Sequence, residues 1–79
     1  MPLAFDYYFD QLETSDKKSE IIFQLIHSAA TQKQMQLCYN CSHVLSGTSK
    51  DQFIKNIIWR MSQFEPSTQE AWKNFVDTL

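Results

Sequence analysis

The sequence predicts an all-α protein, a small bundle of four to five short helices within one domain over residues 1–79, with one long kinked helix as a variant of the plan. Three observations predict it. Apolar residues recur at three- and four-residue intervals through most of the chain, the spacing of one helix face. Capping patterns, a Gly and a Pro fall at the joints between those runs. A single Gly and two Pro leave few of the turn formers a sheet needs, while 43% hydrophobic and 14% aromatic content is too rich for a disordered chain.

In the first run Phe5, Tyr8, Phe9 and Leu12 share a face, and Pro2 is placed to help start the helix. Thr14-Ser15-Asp16 offers caps for a second helix, whose stripe is Ile22, Leu25, Ile26 and Ala29, widened by Ile21, Phe23 and Ala30. The next apolar set, Leu37, Cys38, Cys41, Val44 and Leu45, would lie roughly 110° around a straight continuation of that helix. A kink or short break is therefore expected near residues 31–34. Gly47 stands where a left-handed helix end belongs, and Thr48-Ser49-Lys50-Asp51 reads as a capping box for a helix burying Phe53, Ile54, Ile57, Ile58 and Met61. Pro66 should end that helix at Phe64-Glu65, and Ser67-Thr68-Gln69-Glu70 then reads as the box of a last helix carrying Ala71, Trp72, Phe75, Val76 and Leu79 inward.

Charge and length limit what such a protein does. A net charge of −2 with only seven basic residues disfavours a main role in nucleic-acid binding, which draws on clustered Lys and Arg. Runs such as Ile21-Ile22-Phe23 fall far short of the ~18 apolar residues that span a bilayer, and no signal-peptide pattern opens the chain. A soluble, cytoplasmic protein without membrane contact is expected. A domain this small buries only about 60% of its unfolded surface, so a partner or a homodimer would add to its stability.

Cys38 and Cys41 have the spacing of a metal knuckle or a redox pair, with His43 nearby. On a helix both thiols would sit inside the apolar stripe, and His43 would project about 160° from Cys41. His27 falls on the polar side of the preceding helix. One C-x-x-C without a second pair makes a poor tetrahedral zinc site, and a redox thiol needs a helix N-terminus after a strand. Two cysteines filling core space is the reading that fits, with no metal and no cofactor expected. A thiol or metal site at Cys38 and Cys41 remains the second alternative.

No nucleophile and base, phosphate loop or carboxylate pair shares a face, so no catalytic residue is assigned and an enzyme is not expected. His27 and His43 read as solvated. The residues that break the pattern are Trp59, about 150° from the Ile57-Ile58-Met61 centre, and Tyr7 among Asp6 and Asp10. Trp, Tyr and Arg are the usual anchors of protein interfaces, and Arg60 adjoins Trp59. Tyr7, Trp59 and Arg60 are thus the partner-binding candidates of a module that regulates, inhibits or assembles another protein. The alternative is a helix-turn-helix DNA-binding regulator built from residues 49–64 and 68–79, against which Lys73 is the lone cation of the recognition helix.

Overall fold

The computed structural model describes residues 4–79, so the role expected for Pro2 lies outside the described residues. Five α-helices follow one another: α1 (Ala4–Leu12), α2 (Lys18–Ser28), α3 (Gln32–Ser46), α4 (Lys50–Arg60) and α5 (Pro66–Val76), with a 3-10 turn (Met61–Gln63) after α4. Among the described residues there is no strand, and the all-α expectation holds. α1 packs on α2, α2 on α3, and α3 on both α4 and α5. The centre is made by Leu25, Met35, Cys38, Phe53, Ile57 and Trp72, all of them fully enclosed.

Each joint has a chemical cause. At the end of α1 the Lys18 ammonium donates to the carbonyls of Leu12 (2.7 Å), Ser15 (3.0 Å) and Glu13 (3.2 Å), which supplies donors to carbonyls that a helix end leaves free. The cap of α2 is Lys17, with no side-chain bond, rather than a member of Thr14-Ser15-Asp16; Ser15 Oγ accepts instead from the N–H of Lys17, two residues further along the chain. Between α2 and α3 the chain is broken, not bent, because Ala29 is extended and Thr31 caps a new helix. Thr31 Oγ1 accepts from the Gln34 N–H, and Gln34 Oε1 accepts from the N–H groups of Ala30 (2.8 Å) and Thr31 (3.2 Å). The polar run that read as an interruption is itself a complete capping box.

The inner face of α3 differs from the expected one. Met35, Cys38 and Ser42 are buried, Leu37 and Cys41 lie at the edge, and Val44 is 76% exposed with Leu45 also outside. The true face is rotated by roughly 90° from the apolar stripe. An apolar count favours Val44 and Leu45, but α3 must meet α2, α4 and α5, and the side it buries most deeply is that of Met35, Cys38 and Ser42, with Leu37, Tyr39 and Cys41 packed at its margins. The long, flexible Met35 fills the centre there, while the small Ser42 allows neighbours to approach. Ile58 of α4 and Phe23 of α2 are likewise exposed rather than inward, as is Phe9 of α1.

α4 is capped by Ser49, one residue later than the Thr48 box implies, through a 3.1 Å bond from the Gln52 N–H. α5 starts at Pro66 with Glu65 as its cap, so Pro66 opens the last helix and Ser67 does not. The fixed φ of Pro suits a first helical position, where its missing N–H has no partner to lose. Gly47 adopts φ 67°, as the sequence implies, and its N–H reaches the His43 carbonyl. A Cβ there would meet nothing within 4 Å, so any substitution cost is one of backbone strain. Gly47→Ala is expected to lower the unfolding free energy in urea by about 1 kcal/mol and Gly47→Asn by less. Equal stability of Gly47→Ala and the native chain would contradict this.

Candidate functional site

A file of packed rings leads from the core to the surface. Trp72 of α5 stacks with Phe64, their centroids 6.2 Å apart, and Phe64 meets His27 of α2 at 5.1 Å. His27 in turn packs on Phe23, one helical turn earlier, at 4.6 Å. The guanidinium carbon of Arg60 lies 4.4 Å from the Phe23 ring centre and 5.6 Å from that of Trp59. Four parts of the chain meet in this file: α5 supplies Trp72, α2 supplies Phe23 and His27, the end of α4 supplies Trp59 and Arg60, and the extended residue after the 3-10 turn supplies Phe64.

Its outer end is open. Trp59 is 74% exposed, while Arg60 beneath it is half-buried. Among the described residues no helix covers Trp59. Cation–ring contacts at such separations are each worth about 0.5–1 kcal/mol at exposed sites, enough to favour one orientation of Trp59. Tyr7 is 59% exposed on α1 and has Tyr8 as its aromatic neighbour at 5.4 Å, apart from the Phe23-Arg60-Trp59 group. The structure therefore joins two of the three anchor candidates and leaves the third on another helix.

Beside Arg60 a cleft of about 170 Å³ opens between α2, the end of α3 and α4. Ile22, Ile26 and Phe53 form its apolar side. Asn56 accepts at Oδ1 from Gln52 Nε2 (3.0 Å), which leaves its own Nδ2 to donate, and its carbonyl takes a long 3.4 Å bond from Arg60. The Arg60 Nε is buried without an acceptor.

His43 keeps the exposure expected of it, and His27 does not. His43 is exposed on α3, and its Nδ1 lies 3.0 Å from the Thr48 carbonyl. His27 is enclosed by Phe23 and Phe64, and its Nε2 is buried without a partner. The helical plot missed this because the covering ring, Phe64, comes from another element.

The cysteines lie one turn apart on α3, Cys38 in the core and Cys41 at its edge, and both are free thiols. Burial pushes the Cys38 thiol far above its usual range, with the neighbouring Cys41 adding to it, and burial also raises Cys41. Neither is activated as a nucleophile. Among the described residues no three His, Cys, Asp or Glu side chains gather as metal ligands, and no helix is long and apolar enough to cross a membrane. α5 turns Trp72 and Phe75 inward and exposes Lys73 beside Glu70 and Asn74. No family model, curated protein or solved structure matches the chain.

The half-buried imidazole is expected to make the stability of the fold depend on pH. Burial, and then the charge of Arg60, lowers the pKa of His27 from its ordinary 6.5. The unfolded chain therefore binds this proton more tightly than the folded one, so stability is full above the ordinary pKa and falls as pH drops towards the folded value. His27→Phe, which keeps the ring contacts, should lose less urea stability between about pH 7 and about pH 5 than the native chain. Parallel losses in the two proteins would refute the coupling.

Proposed function

We propose that this chain is a non-catalytic interaction module, a regulator, inhibitor or assembly factor that docks on another protein through the outer edge formed by α2 and α4. Trp59 and Arg60 are the anchors of that edge, and Phe23 extends it. Tyr7 provides a second contact on α1, and a homodimer is one assembly this arrangement permits.

The observation that carries the reading is the exposure of Trp59 together with its support. A Trp at 74% exposure leaves a large apolar surface in water, yet it rests on an arginine that is itself seated on Phe23. Rings held in place from below lose little conformational freedom on binding, and Trp and Arg dominate the energetic centres of interfaces. The mechanism is one of burial: a partner covers the indole and the exposed Phe23, removing apolar area from water at roughly 25 cal/mol per Å². The burial of Cys38 and the raised pKa of both thiols support a role without covalent thiol chemistry.

Truncating the anchor separates docking from folding. Trp59→Ala should weaken the complex or self-association by about 2 kcal/mol, roughly thirtyfold, with helical circular dichroism unchanged. Sedimentation of the native chain and the variant, alone and with a partner isolated on the immobilised native chain, reads the affinity, and circular dichroism reads the fold. Unchanged affinity would exclude Trp59 as an anchor, and a loss of helicity would place it in the fold instead.

A further inference from the structure

We propose that the cleft beside Arg60 is a carboxylate pocket, which receives an Asp or Glu side chain of the protein that docks on Trp59. The proposal rests on the docking reading above and adds the chemistry of the partner to it. The polar groups of the cleft come from Ser19, Ser42, Ser46, Thr48, Asn56 and Arg60. They offer hydroxyls, a carboxamide and a guanidinium, and no carboxylate. Such a lining donates hydrogen bonds and carries positive charge, which is what an anionic group requires.

Among the described residues Arg60 has no ion-pair partner. Its contacts among the described residues are the Phe23 and Trp59 rings and the distant Asn56 carbonyl, while Nε has no acceptor. A half-buried guanidinium held on two rings has given up part of its hydration, and a carboxylate brought to it forms a charge-assisted hydrogen bond where water is already thinned. The charge also reaches inward, since Arg60 is one of the two causes that lower the His27 pKa.

Size selects the source of the carboxylate. About 170 Å³ is below the 300–1,000 Å³ of sites that enclose whole small molecules, and it suits one short side chain. The cleft also abuts the exposed Phe23 and Trp59 surface through Arg60. A partner segment that places an acid in the cleft sets its neighbouring residue on the rings. The expected recognition element is therefore an acidic residue flanked by an apolar one.

A displayed random heptapeptide library, selected on the immobilised full chain, tests this, followed by calorimetry of the enriched peptides. The expected result is enrichment of peptides with one acid next to an apolar residue. Replacing that acid by its amide, or Arg60 by Gln, should each weaken binding about tenfold or more, and the two changes together should weaken it no further than either alone. Because Arg60→Gln removes a packed side chain, Ser46→Glu serves as the second variant: Ser46 is exposed, and an acid there should occupy the guanidinium and block the peptides with circular dichroism intact.

The proposal is overturned if no peptide is enriched, if enriched peptides lack an acid, or if their amide versions bind equally well. Glutarate alone saturating the cleft without peptide enrichment would assign the pocket to a free small acid and overturn the partner assignment. Acid-free peptides that still require Trp59 would end the carboxylate pocket and leave the docking edge standing. Acid-dependent peptides indifferent to Trp59→Ala would do the reverse.

Discussion

Trp72 is the residue on which the rest of the arrangement depends. Its ring is fully enclosed and contacts Phe53 of α4, Phe64 beyond the 3-10 turn and Phe75 of its own helix, with centroids 6.1, 6.2 and 5.7 Å away. Aromatic contacts at such separations add about 0.5–1.5 kcal/mol each beyond the area they bury, a large share for a domain whose total stability is of order 5–15 kcal/mol. They also bind together the two ends of the α4-to-α5 joint. The indole Nε1 is buried with no acceptor, a cost of about 1–3 kcal/mol that the packing of the ring must offset.

The candidate site follows from that anchor by successive contact. Phe64, extended because the chain must pass from a 3-10 turn into Pro66, is pinned by Trp72 and closes over His27. His27 and Phe23 share one face of α2, so fixing one fixes the other, and Phe23 seats the Arg60 guanidinium under Trp59. Sequence position, helix end and ring packing thereby convert a core contact into an organised outer edge. The cleft next to it sets hydroxyls, a carboxamide and the Arg60 guanidinium beside the apolar side formed by Ile22, Ile26 and Phe53.

Much of the fold was legible where the signal is local. Gly47 and Pro66 marked the joints, the break between α2 and α3 was placed within two residues, and Phe53, Ile57, Trp72 and Phe75 were identified as core from spacing alone. Cap identities were less legible, because Thr48 and Ser49 offer competing caps one residue apart, and Glu65 and Ser67 two apart, and the packing of the whole helix decides between them. The face of α3 was misread for a tertiary reason: Met35 and Ser42 are buried on the side where α3 packs on its neighbours, whereas Val44 is 76% exposed and Leu45 is left at the margin beside α1 and α2. In the site, Trp59 and Arg60 stood out as departures from an apolar stripe. Phe23 and His27 did not, since their significance comes from residues on other elements that no single-helix plot contains.

The central claim is that Trp72 is the closed inner end of this file and Trp59 its open outer end, and quenching of single-tryptophan emission tests it most directly. In Trp59→Phe the remaining indole should emit at short wavelength and resist iodide until urea unfolds the chain. In Trp72→Leu, where the structure stays helical, the remaining indole should be quenched from the start. A native Trp59→Phe protein whose emission is quenched as freely as that of its unfolded state would contradict the account, because Trp72 would then face water and the file of rings would have no anchor.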